Sequence, residues 1–202
     1  MDVQSAAGHV EVRGDRLTLR PATFGFTGPE LQRRYQWSLD NELQYWSGTI
    51  PGGRSYGDFA QNVAHRDWPS DGRRISYAIL TNDGDLIGMV SCYNIDRMFV
   101  SDRLVGELGV YLGEKRYWGS GYGTDAVTMF LRHLFENLEF DTVYLHTYKS
   151  NIRARRSYAR VGFEVDEERR RYSPRVGYHE ELRMSITRSR FNQLHGLEVA
   201  TT

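Results

Sequence analysis

Leu17 and Leu19 alternate with polar neighbours over residues 15–23, and this period of two predicts a strand. Residues 27–40 change period. Thr27 and Pro29 form a helix-start signal, and Leu31, Tyr35 and Leu39 recur every four residues, which predicts a helix whose buried face carries those three. Residues 41–58 are aromatic and glycine-rich and read as short helix and loop. A second helix follows over 55–68, capped by Ser55. Three strands come next, over 73–80, 85–95 and 103–112. The first two join through Thr81-Asn82-Asp83-Gly84, a compact hairpin turn. In the third, Leu108, Val110 and Leu112 face one way, and Glu107, Gly109 and Tyr111 the other.

From 121 to 138 the apolar positions Ala126, Phe130, Leu134 and Leu138 run beside Val127, Leu131 and Phe135, a broad helical stripe. A strand over 141–148, a helix over 151–162 closed by Gly162, and strands over 163–172 and 178–187 complete the order. One strand–helix–strand unit, from 103 to 148, calls for a right-handed crossover and hence a parallel strand pair. The fold class is therefore α+β with a mixed sheet. At 202 residues the chain fits one domain over 14–188, between a loose N-terminus over 1–13 and a loose tail over 189–202.

Composition narrows the function without naming it. The 26 basic and 26 acidic residues cancel, which argues against an extended nucleic-acid footprint. The run of charges over 167–175 reads as a solvated hairpin. No apolar run is long enough to span a membrane, and no secretory signal opens the chain. Cys92 is the lone cysteine and sits in a strand pattern, so it reads as a buried structural thiol in a protein of the cytoplasm. Among the six histidines, His146 and His179 lack metal-ligand spacing and read as hydrogen-bonded structural residues, so no metal is implied.

The chemistry concentrates after the third strand of the meander. Gly119, Gly121 and Gly123 alternate where a strand turns into the long helix, and a helix start exposes unpaired N–H groups at the positive end of its dipole. Such a segment either cradles a phosphate or is a simple glycine turn. Lys115 and Arg116 add positive charge just before it. A P-loop needs Gly-Lys-Ser/Thr, whereas here Thr124 follows Gly123 directly. A dinucleotide fingerprint fits poorly too, because the spacing is Gly-x-Gly-x-Gly and only one strand–helix–strand unit is present.

Arg116-Tyr117-Trp118-Gly119-Ser120-Gly121 resembles the acetyl-CoA signature Gln/Arg-x-x-Gly-x-Gly/Ala of the GCN5-related N-acetyltransferase (GNAT) family. Asn151, Ala154, Tyr158 and Gly162-Phe163 resemble its second block. The likeness is nearest to the branch of ribosomal-protein N-terminal and spermidine acetyltransferases. It implies a central, mostly antiparallel sheet with one parallel pair that splays apart, and a GNAT domain in which acetyl-CoA is the co-substrate. The pantetheine arm would lie between the splayed strands against Val110, Tyr111 and Leu112. The resemblance further implies that Arg116, Trp118, Gly119, Ser120, Gly121, Tyr122, Gly123 and Thr124 surround the pyrophosphate, with Asn151 and Arg153 on the next helix. Tyr158 is the implied acid for the leaving thiolate, and Glu107 the candidate base, acting through water. The implied acceptor is a primary amine of a protein N-terminus or small molecule, entering on the side of Tyr45, Trp46 and Tyr56, which either wall the amine or pack as core or dimer contacts; a homodimer would cover exposed aromatics. A CoA-binding sensor without catalysis is the alternative.

Overall fold

The computed structural model describes residues 10–47, 55–67, 74–97, 103–174 and 176–197. Eight strands form one sheet: β1 (Val12–Arg13), β2 (Leu17–Pro21), β3 (Arg74–Thr81), β4 (Leu86–Arg97), β5 (Leu104–Leu112), β6 (Phe140–Tyr148), β7 (Glu164–Ser173) and β8 (Gly177–Thr187). Their order across the sheet is β1-β2-β3-β4-β5-β6-β8-β7, and every pairing is antiparallel except that of β5 with β6. The helices are α1 (Gly28–Leu39), α2 (Asn41–Trp46), α3 (Tyr56–Asp67), α4 (Tyr122–Asn137), α5 (Ile152–Val161) and α6 (Arg188–His195).

The parallel pair holds register from Leu104↔Phe140 to Glu107↔Tyr144 and then stops. Beyond that row, β5 continues against β4 through Leu112↔Gly88, while β6 continues against β8 through Tyr148↔Glu181. The two inner edges therefore part, leaving a wedge between strands that are each held from the outside only.

The sheet separates two cores. On one face Tyr77, Ile79, Val90, Cys92, Leu108 and Val143 meet the apolar stripe of α4, including Ala126, Phe130 and Leu134. On the other, Trp37 and Leu43 from α1 and α2 pack over Ala78, Leu80 and Leu86. The helix starts follow their sequence signals: Thr27 and Glu30 make a reciprocal capping box at α1, and Ser55 Oγ accepts from Asp58 N at 3.2 Å.

Three expectations change. The inward face of α1 carries Arg34 and Trp37, whereas Leu39 is exposed. The helix is turned so that Trp37 lies flat over Gly113, where any side chain would enter the indole, and its Nε1 donates to Glu114 Oε1 at 3.0 Å. The segment after 188 is a helix rather than a loose tail. Phe191 is fully buried against Phe135, and Arg190 Nε donates to the Gly162 carbonyl at 2.7 Å. Val12 and Arg13, which the sequence predicts to lie in a loose N-terminus, pair with Leu19 and Thr18. The remainder of those two termini, 1–9 and 198–202, lies outside the described residues, as do 48–54.

Candidate active site

A cleft of about 1000 Å³ opens where β5 and β6 part, and it runs from the glycine loop to the inner faces of α1 and α2. Of the residues implicated by sequence, Val110, Tyr111, Leu112, Trp118, Gly119, Gly121, Gly123, Thr124, Asn151, Arg153 and Tyr158 all line it. Arg116, Ser120 and Tyr122 stand outside the lining. The Arg116 guanidinium lies 3.5 Å from Asp85 and 3.9 Å from Glu114, and Tyr122 stacks on Tyr117 at 4.8 Å. Lys115 is likewise held by Asp40 and Glu42, each at 2.8 Å. The two cations expected to charge the loop are thus bound to carboxylates, and an anion there meets backbone amides instead.

Those amides are prepared by backbone sign. Gly119 and Gly121 have φ of 76° and 89°, in the left-handed region that glycine enters without penalty. Gly121 is the N-cap of α4 and offers no side chain, so the first N–H groups of the helix remain open. Arg16 fixes this segment from β2: its guanidinium pairs with Asp125 and donates from Nη1 to the Ser120 carbonyl at 3.2 Å. Trp118 closes the other side. Its Nε1 donates to the Leu112 carbonyl at 2.9 Å, and Arg153 stacks on its ring at 3.7 Å. The Leu112 carbonyl is thereby taken, which leaves its N–H as the group to face a ligand.

The start of α5 builds the opposite wall. Asn151 caps the helix by accepting from Ala154 N at 3.2 Å, and Ser157 Oγ lies 2.9 Å from Thr124 Oγ1, tying α5 to α4. One turn on, Tyr158 is 9% exposed and packs edge-on to Phe163 at 5.9 Å. Its hydroxyl has no hydrogen-bond partner among the described residues, and burial pushes its pKa up to about 12. A phenol in that state holds its proton.

Glu107 lies at the last row of the parallel pair but does not itself line the cleft. Its Oε1 accepts from Tyr93 Oη at 3.2 Å and lies 2.8 Å from His146 Nδ1, while its Oε2 accepts from Asn94 Nδ2 at 2.9 Å. Arg169 donates to His146 Nε2 at 3.0 Å, so His146 carries its proton on Nδ1 and donates it to Glu107. His146 was expected to be a hydrogen-bonded structural residue. It is hydrogen-bonded, and it also lines the cleft. Periodicity of β6 places it on the face of Tyr144 and Tyr148, but the partner across the wedge is visible only once β5 and β6 are known to be adjacent.

The aromatic residues expected at the acceptor entrance are partly spent on each other. Tyr45 stacks on Trp46 at 4.8 Å and on Tyr148 at 5.5 Å, and Tyr56 meets Tyr35 at 5.5 Å. Trp46 lines the cleft. Burial pushes the Cys92 thiol up and leaves it fully covered, on the face away from the cleft. Among the described residues no three His, Cys, Asp or Glu side chains gather to hold a metal, and no helix is long and apolar enough to cross a membrane.

Comparisons with known proteins agree with this geometry. The model of the acetyltransferase (GNAT) domain matches residues 16–164. The chain belongs to the GNAT acetyltransferase family. The spermine/spermidine N(1)-acetyltransferase of Bacillus subtilis is 30% identical over 88 residues, 43% of this chain, and the match spans only 57% of that protein's length. The crystal structure of spermidine N-acetyltransferase from Vibrio cholerae in complex with CoA and spermine superimposes with a TM-score of 0.73 at 19% identity, covering 87% of this chain and 97% of the other. A GCN5-related N-acetyltransferase from Brucella melitensis gives a TM-score of 0.71 at 17% identity, over 93% and 83% of the two chains.

Proposed function

We propose that this protein is an N-acetyltransferase that moves the acetyl group of acetyl-CoA to a primary amine by direct attack, with both substrates bound together. Family membership supports the reading, and the observation that carries it is Tyr158, a buried, protonated, unpartnered phenol in the wedge of the splayed strands.

Acetyl-CoA supplies an activated acetyl thioester. The open N–H groups at the start of α4, on a backbone turned by Gly119 and Gly121, receive its pyrophosphate, with Arg153 alongside. The free inner edge of β5 between Val110 and Leu112 receives the pantetheine arm as an added strand. Asn151 keeps its Nδ2 donors for the same ligand, since only its Oδ1 is used for capping.

The amine nitrogen attacks the thioester carbonyl, a C–N bond forms, and the C–S bond breaks. Tyr158 gives its proton to the departing sulfur and regains one from solvent. The proton shed by the amine passes through water to Glu107. Oε1 of that carboxylate is saturated by Tyr93 and His146, whereas Oε2 has only Asn94 and keeps a lone pair free. His146 acts as a positioning residue: with Nε2 accepting from Arg169, its Nδ1–H donates to Glu107 and fixes the carboxylate. The products are the acetamide and CoA with a free thiol.

Free thiol appearing when protein, acetyl-CoA and amines are mixed tests the reading. Small amines and N-terminal peptides should give amine-dependent release, with the acetamide seen by mass spectrometry. CoA binding without release for any amine would leave the sensor alternative.

A further inference from the structure

Two of the three proteins reported above carry names from polyamines, yet the acceptor wall of this cleft has the opposite charge from one that would hold a polycation. Among the described residues, no aspartate or glutamate lines the cleft, whereas Arg34 and Arg74 line its acceptor half. Arg34 projects from the buried face of α1, 4% exposed, with its guanidinium 4.2 Å from the centre of the Phe26 ring. Arg74 begins β3 and lies over Tyr93 at 4.7 Å, and no carboxylate pairs with it among the described residues. Beside it, Ser76 is 1% exposed, lines the cleft, and its Oγ has no hydrogen-bond partner among the described residues. A buried hydroxyl left unpaired costs about 1 to 3 kcal/mol unless a ligand satisfies it.

Register fixes where this group stands relative to the chemistry. Arg74 pairs with Tyr93, and Tyr93 pairs with Glu107, so the three side chains share one row on one face. Two strand spacings separate Arg74 from Glu107, about 10 Å. Glu107 ends this row, and its charge is already met by three donors.

We infer that the acceptor is a small amine that also carries an oxyanion, a carboxylate or a phosphate, which Arg74 and Ser76 bind while the amine lies near Glu107. The inference rests on the acetyltransferase reading and assigns its substrate class. The arrangement serves the reaction twice. The Arg74 guanidinium grips the anion through charge-assisted hydrogen bonds, and its charge favours the neutral, attacking form of the amine over the ammonium. A polyamine would bring two or more cations to a wall of arginines, which like charges oppose.

Matched amines provide the test. γ-Aminobutyrate is compared with 4-aminobutanamide, glucosamine 6-phosphate with glucosamine, and spermidine stands apart; the first arm probes carboxylate and the second phosphate. At least one anionic member should exceed the twin that lacks the anion at least tenfold in kcat/KM, and Arg74→Gln should lower kcat/KM for that anionic member at least tenfold more than for its twin. Preference for spermidine, or equal rates within both pairs, would overturn the inference and leave acetyl transfer standing. Calorimetry on the CoA-loaded protein separates the two readings. An anionic amine that binds, loses affinity in Arg74→Gln, and is never acetylated would sustain the anion site and sink the transferase. No binding by any anionic amine would sink the site.

Discussion

His146 Nδ1 and Glu107 Oε1 lie 2.8 Å apart, linking the last row at which β5 and β6 are joined, Glu107↔Tyr144, to the next residue on that face of β6. The bond bridges two strands whose backbones part immediately beyond it, so it stands at the closed end of the wedge that the acetyl group would enter. With Arg169 behind His146, the chain of contacts runs from β7 to the cleft wall and holds Glu107 in one orientation.

If Glu107 takes the amine's proton, Glu107→Gln should lower kcat by about a hundredfold while leaving CoA affinity within a factor of two. His146→Gln keeps a donor toward Glu107 and should cost less. The split between rate and binding distinguishes the roles: Glu107→Gln should lose kcat with CoA affinity kept, and His146→Gln should lose only the part of kcat that the fixed orientation of Glu107 contributes.

The glycine loop should fail through its backbone. A side chain at Gly121 faces φ of 89°, a strain on the order of 1 to 2 kcal/mol for an L residue. Gly121→Ala is expected to weaken CoA binding about tenfold by calorimetry and to lower the thermal midpoint by about 2 to 8 °C. Unchanged affinity would mean that the loop does not cradle the diphosphate.

Acid stability should depend on Glu30. Burial alone pushes its carboxyl up, but hydrogen bonds from Arg20 at 2.9 Å and from the Thr27 amide outweigh that and hold it below the usual carboxylate range. A depressed folded value gives stability that is present above the unfolded value of about 4.3 and lost as pH falls through the folded one. Glu30→Gln should cost about 1 to 2 kcal/mol at pH 7, read from denaturant melts, and flatten the decline below pH 4.5.

Cys92 is fully buried, its thiol pushed up by burial and by the charge of Glu107. A thiol reagent should find less than a tenth of one equivalent in the native protein and one equivalent after denaturation. Release of the CoA thiol can then be followed without background.

How far the sequence spoke depended on the range of the contact. The glycine turn, the Asn151 cap and the helical stripe of α4 are local, and their signals stand within a few residues of one another. Even there the physical reason shifted: a Cβ at Gly119 would meet nothing within 4 Å, so glycine is needed for the sign of φ rather than for space. The face of α1 was misread because Leu31 and Leu39 look like core, whereas a cleft-lining helix turns Arg34 and Trp37 inward. Polar burial of that kind runs against the hydrophobic pattern by its nature. The partners of Glu107 come from β4 and β6, and the row Arg74–Tyr93–Glu107 exists only through strand register. α6 went unseen because a single apolar residue, Phe191, anchors it.

The role of Tyr158 bears the most weight, and the substitution Tyr158→Phe tests it directly, because only the hydroxyl is removed from a residue whose ring packs on Phe163. Acetyl-CoA affinity by calorimetry and kcat by thiol release are measured on both proteins from pH 6 to 10.5. With the native phenol's pKa near 12, its rate should show no alkaline loss across that range. The phenylalanine variant should bind acetyl-CoA as before and turn over at least a hundredfold more slowly. Equal losses of affinity and rate, or a variant as fast as the native protein, would contradict proton delivery from Tyr158.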